Sequence, residues 1–324
     1  MDIANYFQRN LVIFQIEKVQ KLKQKYLYLN DYGIVEFPEL ILACSSLKTL
    51  HLHRNQIAEL PSSLGNKLKS LKYLSLQFND LHHFPQCLEH LSSLVSLNIS
   101  HNPIGFLPEC ISNLENLNYL WCNCCGLTTI PKQIGNLKKL ATFGARNNKI
   151  VTIPDTITNC EELCWLSLEG NQLNELPSFC NLKNLHHLNL NDNYFFQIPS
   201  SLCRIKTLNY LHLQNNRITS LNKKYIDKMA KVKINLLNNP IENAYEFIKH
   251  KNVMLSNKSL KQEGNNNQEE YSTDSSDLDT EWEHSSTDTL YINYDSSSSD
   301  YNSEQDNNEL DVITAPKLTK FILQ

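Results

Sequence analysis

Glycine is scarce in this chain, with eight residues among 324. The glycines occur mostly singly, and the phosphate-binding loops GxGxxG and GxxxxGK[ST] are absent, as are the catalytic motifs HExxH and GxSxG. The sequence therefore offers no catalytic or cofactor-binding residues. We expect neither an enzyme nor a bound cofactor, and no small-molecule substrate.

Long apolar runs are missing as well. The longest run near the N-terminus is Leu11 to Phe14, whereas a membrane-spanning helix needs roughly 18 apolar residues. The N-terminus also lacks the features of a secretory signal, and ten cysteines without such a signal favour reduced thiols. We expect a soluble cytoplasmic protein, with the nucleus as the alternative, and no membrane partner.

Charge of both signs is present but separated along the chain. Residues 257–324 carry 15 Asp and Glu against 4 Lys and Arg, a net charge of −11, and the remaining 26 basic and 19 acidic residues give residues 1–256 a net charge of +7. The stretch from Asn257 to Asp311 is rich in Ser, Asn, Asp and Glu. Such a composition buries too little apolar surface to offset the entropy of ordering, so we expect a disordered acidic tail over 257–324.

The tail also carries candidate phosphorylation sites, each with an acidic residue three positions on, a pattern that resembles the preference of acidophilic kinases. These sites are Ser276, Thr280, Ser285, Ser297 and Ser303. We predict that the tail folds back on the basic domain and competes with partners. The terminal VITAPKLTKFILQ is either a short docking motif or an apolar terminus, and the residues leave that choice open.

A repeat of 22 to 24 residues covers residues 24 to about 245. Each repeat reads LxxLxLxxNxLxxLPxxLxxLxx, as in LVSLNISHNPIGFLPECISNLEN from Leu94 to Asn116. In the LxLxx segment, positions 4 and 6 point inward and positions 3, 5 and 7 outward. Stacked repeats bury a continuous apolar column and pair their strands in parallel.

Position 9 of the repeat is an inward Asn whose amide can satisfy backbone groups of adjacent turns. Tyr32 stands at this position in the first repeat, and Cys125, a weak hydrogen-bond donor, is expected to weaken the ladder locally. The ladder positions are Asn55, Asn79, Asn102, Cys125, Asn148, Asn171, Asn193, Asn216 and Asn239.

This pattern resembles the leucine-rich repeat family, specifically its intracellular Leu-Pro subclass, which includes scaffolds of small-GTPase and phosphatase signalling. The resemblance implies an α/β solenoid, a curved horseshoe of about ten repeats with parallel strands on its concave face. We predict a helical cap over 1–23, a repeat domain with a C-terminal cap over 24–256, and the tail over 257–324.

Both ends of the repeat domain need covers. At the N-terminus, Ile3, Phe7, Leu11 and Phe14 recur at helical spacing and are expected to form the cap. At the other end, we expect Ile241, Ala244, Phe247 and Ile248 to pack against the last turn.

The segment WCNCCG, with three cysteines within four positions, raises the question of a metal or redox site. The repeat places Cys122 and Cys125 inward and Cys124 near the surface. Adjacent thiols therefore diverge, and no second cysteine pair follows, as a zinc site would require. We interpret the inward cysteines as small apolar core residues and expect no metal.

Outward positions compose the face on which we expect a protein partner, because aromatic and His side chains dominate it. Tyr119 and Trp165 are predicted to flank an open notch floored by Gly144, into which the partner would insert a side chain. The alternative is that the aromatics only cover the sheet. The candidate binding residues are Tyr73, Phe78, His101, Tyr119, Trp121, Thr142, Gly144, Arg146, Trp165, His187, Tyr210 and His212.

The leading functional interpretation is a non-catalytic scaffold or adaptor in intracellular signalling, which we expect to be monomeric. Nucleic acid is not expected as a partner, because Lys and Arg are spread over loops and the convex side rather than concentrated in a stripe. Two alternatives stay open. One is a substrate-recognition subunit of a ubiquitin ligase, and the other is a structural component of a cytoskeletal or ciliary assembly.

Overall fold

The computed structural model describes residues 3–256. A 20-residue helix, α1 (Ile3–Leu22), precedes a series of short strands. The strands are β1 (Tyr26–Tyr28), β2 (Thr49–His51), β3 (Tyr73–Ser75), β4 (Ser96–Asn98), β5 (Tyr119–Trp121), β6 (Thr142–Gly144), β7 (Trp165–Ser167), β8 (His187–Asn189), β9 (Tyr210–His212), β10 (Lys233–Asn235) and β11 (Val253–Met254).

All eleven strands form one parallel sheet in sequential order. Equivalent positions of successive repeats pair with each other, as Leu97 of β4 does with Leu120 of β5. The middle residue of every three-residue strand points inward, and both of these leucines are fully buried. The α/β solenoid is confirmed, and the inward positions of the repeat form its core.

The return legs are mostly short 3₁₀ helices that begin directly after a proline, because the fixed φ of proline suits the turn into the helix. Where Asn222 replaces the proline, a short α-helix forms instead, α3 (Lys223–Lys228). Another short α-helix is α2 (Leu64–Lys67). The 3₁₀ helices are Glu39–Ala43, Gln86–His90, Glu109–Asn113, Lys132–Asn136, Asp155–Asn159, Phe179–Asn181, Ser200–Arg204 and Ala244–Phe247.

The C-terminal end of the sheet extends one strand beyond the ten predicted repeats. β11 pairs with β10 after the last 3₁₀ helix. Ile241, Ala244 and Phe247 are buried against the last turn, as expected, but Ile248 is 61% exposed. Phe247 and Ile248 are adjacent at the end of this short helix, so only one of the two side chains can face the core.

Helix α1 presents a different face to the repeats from the predicted one. Val12, Ile16 and Val19 are buried, whereas Phe7, Leu11 and Phe14 are exposed. Both sets recur at helical spacing. The β-branched set is compact enough to lie close against β1 and the first 3₁₀ helix, and the larger side chains are left on the outside.

The asparagine ladder forms as the sequence predicts. The amide nitrogen of Asn55 donates to the carbonyls of Leu29 and Leu52, both at 2.8 Å, and its amide oxygen accepts from the N–H groups of Tyr32 and Ile34. Each Asn therefore joins its own turn to the preceding one, and backbone groups buried inside the solenoid are paired.

Cys125 breaks this pattern. Its thiol donates to the carbonyl of Ile99 at 3.3 Å. In other repeats, the amide oxygen of the ladder Asn accepts a hydrogen bond from the N–H equivalent to that of Ile104. Here the N–H of Ile104 donates to the carbonyl of Asn102 at 2.8 Å instead. The N–H of Ile241 makes the same local bond to the carbonyl of Asn239, because no further ladder residue follows Asn239. The backbone thus compensates in part for the missing amide.

Cys125→Asn is expected to raise the free energy of unfolding by about 1 kcal/mol, because the new amide can make the paired contacts of its neighbours. Urea denaturation of the variant and the parent measures the difference. Cys122→Asn is the matched control. It places the same amide three residues earlier, at a fully buried position that faces the core. This variant should destabilise the protein, because a polar amide there is buried among apolar side chains. An unchanged or lower stability for Cys125→Asn would contradict the ladder argument.

The predicted acidic tail over 257–324, its five candidate phosphorylation sites and its apolar terminus lie outside the described residues. Within residues 3–256, no helix is long and apolar enough to cross a membrane.

Candidate functional site

The outward side of the sheet, here called the open face, consists of the side chains at positions 3, 5, 7 and 8 of each repeat. Rings on this face follow one another across β5, β7, β8 and β9. Trp121 lies 5.2 Å from Trp165, and Trp165 stacks on His187 at 5.4 Å with an interplanar angle of 15°. His187 in turn contacts Tyr210 at 6.1 Å and His212 at 5.0 Å. We call these five residues the aromatic row.

The predicted notch over Gly144 is not open. The indole of Trp121 lies directly over Gly144, where a Cβ atom would collide with the ring. From there the indole reaches Trp165, which is only 8% exposed. Gly144 therefore makes room for Trp121 rather than for a partner's side chain, and the open notch was a wrong prediction.

The remaining position-3 candidates stand beside the row. Tyr73 and Tyr119 are half-buried on β3 and β5, and Thr142, between Tyr119 and Trp165, is 8% exposed. Burial raises the pKa of the Tyr119 phenol, with smaller contributions from Tyr73 and Cys164. Tyr119 therefore remains a neutral hydrogen-bonding group.

Arg146 takes part in a polar network at the edge of the row. Its guanidinium donates to Glu169 at 2.9 Å, and the other carboxylate oxygen of Glu169 accepts from the amide of Asn189 at 2.7 Å. Neither Glu169 nor Asn189 was among the predicted residues. Arg146 and Glu169 both occupy position 7 of neighbouring repeats, so their opposite charges were the signal that could have identified the pair.

The histidines of the open face are held neutral. Burial lowers the pKa of His212 to about 4, and burial together with His212 lowers the pKa of His187 well below its usual value. Burial, then nearby His53, lowers the pKa of His51 to about 4. Within the described chain, Nε2 of His187 is buried without a hydrogen-bond partner. The imidazoles therefore behave as flat, weakly polar surfaces at neutral pH.

A second group of candidates lies at position 8. Phe78 and His101 stack at 4.1 Å with an interplanar angle of 11°, and the guanidinium carbon of Arg54 lies 5.8 Å from the Phe78 centroid. Arg54, missed by the sequence analysis, also pairs with Asp31 at 3.9 Å. These three residues, Arg54, Phe78 and His101, are called the position-8 stack.

The position-8 stack lies on strained backbone. Position 8 has a positive φ in all ten repeats, and several repeats place Asn, Asp or Gly there, which tolerate this conformation. Arg54 and Phe78 adopt φ of 55° and 58° without that tolerance, whereas His101, at 56°, is a residue type enriched in this conformation. Because the positive φ recurs in all ten repeats, it belongs to the turn of the solenoid and does not by itself mark a binding site.

The cysteines of WCNCCG lie as predicted from the repeat. Cys122 and Cys125 are fully buried, and Cys124 is half-buried. Burial raises the pKa of all three thiols, that of Cys125 to about 12. In residues 3–256, no three His, Cys, Asp or Glu side chains are grouped so that they could hold a metal ion.

Comparison with known proteins points to one family. A family model described as leucine rich repeat matches residues 45–104, and a second model with the same description matches residues 184–205. No curated protein matches the chain significantly by sequence.

Several solved structures are similar. A leucine-rich repeat protein of Leptospira interrogans is 26% identical with a TM-score of 0.54, and the match covers 70% of each chain. The plant peptide hormone receptor RGFR1 in complex with RGF2 is 27% identical with a TM-score of 0.58, over 69% of this chain and 41% of the receptor.

An internalin (inlF) of Listeria monocytogenes is similar in fold, with 22% identity and a TM-score of 0.62, over 74% of this chain and 69% of the internalin. The family models, the sequential parallel sheet and the inward asparagine ladder agree with one another. The chain is a leucine-rich repeat protein.

Proposed function

We propose that the chain is a non-catalytic scaffold that binds a protein partner on the open face of its sheet. The aromatic row carries this proposal. Trp and Tyr are enriched at the energetic centres of protein interfaces, and nothing in the repeat requires aromatic residues at outward positions. Trp165 and His187 are buried, and they hold the half-buried ring of Trp121 in place, so little entropy is lost when a partner packs on Trp121.

The backbone of the sheet limits how the partner can bind. Strands β2 to β10 are paired on both sides, so a partner cannot add a strand between them. Recognition on this face must therefore use side chains. The row runs from β5 to β9, and four strand spacings of about 4.8 Å give roughly 19 Å, the length of about six residues of extended peptide.

The solved receptor complex supports a peptide or protein ligand, because RGFR1 is a peptide hormone receptor that is bound to RGF2 in that structure. The position-8 stack supports a second contact near β2 to β4, since it places a stacked aromatic pair beside an exposed guanidinium on the same face. We propose that one partner contacts both groups and that the chain acts as an adaptor in cytoplasmic signalling. The resemblance of its repeats to small-GTPase and phosphatase scaffolds supports this role.

Affinity capture from an extract of the source cells tests the proposal. Trp121→Ala removes the half-buried end of the row and should reduce the recovered partner at least tenfold, because an aromatic centre of an interface is worth about 2 kcal/mol or more. Phe106→Ala removes an aromatic ring that is 53% exposed and lies outside the aromatic row and the position-8 stack, so it should leave recovery unchanged.

Melting temperatures of both variants show whether the fold is intact. Equal recovery with folded Trp121→Ala would refute binding on the aromatic row. A small GTPase or phosphatase among the captured proteins would support the signalling role, whereas ligase adaptors or cytoskeletal proteins would favour the alternative functions.

A further inference from the structure

The turns that precede the first three strands carry charge of one sign. The five residues before each of β1, β2 and β3 together contain six lysines and no Asp or Glu. Five of these lysines are exposed, and Lys48 is half-buried. The fold thus gathers on one edge basic residues that are spread along the sequence. We call them the basic edge, and they are Lys21, Lys23, Lys25, Lys48, Lys69 and Lys72.

Three of these lysines occupy position 2 of successive repeats and therefore start side by side. The N–H of Lys48 donates to the carbonyl of Lys25, and the N–H of Lys72 donates to the carbonyl of Lys48, both at 2.8 Å. Neighbouring strands are about 4.8 Å apart, so the three side chains start from a row about 10 Å long. Like charges at directly neighbouring positions of a sheet lower stability. The row is therefore unfavourable in the free chain unless a negative surface offsets it.

The same edge is organised differently further along the solenoid. Glu115 precedes β5, whereas Lys138 and Lys139 precede β6. Lys138 pairs with Glu161, which precedes β7, at 3.9 Å. Lys139 donates to the amide oxygen of Asn116 at 2.6 Å. Among the residues that the structure describes, by contrast, no lysine of the basic edge has an ion pair or a side-chain hydrogen bond.

The composition of the basic edge limits the chemistry of its partner. The three segments contain no Arg, whose planar fork binds individual phosphates and carboxylates in a defined geometry. They also contain no aromatic residue, whereas single-stranded nucleic acid stacks its bases on aromatic rings. Tyr26, which follows the first segment, belongs to the open face. Lysines alone, as point charges on flexible stems, suit a surface whose negative charge is spread out.

We propose that the basic edge binds the surface of a membrane that contains anionic lipids. Clusters of about four to eight basic residues are attracted to such headgroups, and each lysine near the surface strengthens binding about fivefold. The edge precedes β1 to β3 and is separate from the aromatic row on β5 to β9, so membrane binding does not depend on the proposed protein partner. Peripheral binding needs no spanning segment, and it replaces the expectation of no membrane partner.

Co-sedimentation of the intact chain with lipid vesicles tests the proposal. At about 0.05 M salt, the parent should sediment with phosphatidylcholine vesicles that contain about 30% phosphatidylserine, and it should stay in solution with phosphatidylcholine alone. At about 0.5 M salt it should be released, because screening weakens the attraction. The triple variant Lys25→Gln, Lys48→Gln, Lys72→Gln should lower the partition coefficient roughly 100-fold, at about fivefold for each lysine.

The matched control is the triple variant Lys223→Gln, Lys224→Gln, Lys228→Gln, which removes the same charge from exposed positions of α3. Its partition coefficient should stay close to that of the parent. Melting temperatures check that both variants are folded. The basic-edge variant should melt no lower than the parent, because repulsion within the row is relieved.

Three outcomes would overturn the proposal. One is a parent that does not bind phosphatidylserine vesicles at low salt, and another is an equal loss of binding in the two triple variants. Polyglutamate and duplex DNA, each added at equal negative charge, provide the third. If either binds the intact chain more tightly than the vesicles do, and the basic-edge variant loses that binding, the edge serves an acidic protein or a nucleic acid instead of a membrane.

Discussion

Asn171→Ala is expected to lower the free energy of unfolding by about 3 kcal/mol or more, because several buried backbone groups lose their partner at once. The amide of Asn171 donates to the carbonyls of Ala145 and Leu168, both at 2.9 Å, and accepts from the N–H of Ile150 at 3.0 Å. The residue is 4% exposed, so water cannot replace these bonds without opening the turn. Urea denaturation measures the loss.

Two control variants separate the ladder from other effects. Cys125→Ala removes a ladder residue whose thiol makes only weak bonds, so its cost should be about 1 kcal/mol. Asn174→Ala removes an exposed amide three residues after Asn171 and should change stability by less than about 0.5 kcal/mol. If Cys125→Ala and Asn171→Ala cost the same, the amide bonds would not be what stabilises the ladder.

The repeat was predictable because its pattern recurs ten times, and each recurrence fixes a position. The inward leucines, the strand register and the asparagine ladder all follow from that period. The face of α1 was not predictable in the same way. Its two apolar stripes share one periodicity, and only packing against the first repeat shows that Val12 and Ile16 lie inside while Leu11 and Phe14 lie outside.

The candidate site was predicted at the level of positions but not of rotamers. The period places Trp121 beside Gly144 on neighbouring strands, as observed. It does not say whether the indole stands upright beside the glycine or lies across it. The absent Cβ of Gly144 decides this, because the ring gains contact by filling that space. A notch inferred from side-chain size alone was thus the part of the prediction that failed.

Acidification should destabilise the protein through the buried histidines of the open face. The pKa of His212 falls from 6.5 to about 4 on folding. Between these two values the unfolded chain binds the proton and the folded chain does not, so stability is lost as the pH falls from 6.5 towards 4. At 1.36 kcal/mol per pKa unit, His212 alone accounts for about 3 kcal/mol, as an order of magnitude.

Burial is the cause of the lowered pKa of His212. His187 on β8, whose own pKa is lowered by burial and by His212, lies 5.0 Å away. On β10, the ammonium of Lys233 lies over the Tyr210 ring at 5.6 Å. A positive charge on His212 would therefore be costly because it loses its hydration.

Urea denaturation of the parent at several pH values between 4 and 7 measures this loss, and His212→Phe tests its origin. The variant keeps a flat ring against His187 but cannot be protonated, so its stability should fall less steeply below pH 6.5 than that of the parent. His83→Phe changes an exposed histidine outside the aromatic row and should leave the slope unchanged. Parallel profiles for the parent and His212→Phe would mean that the acid sensitivity arises from other groups.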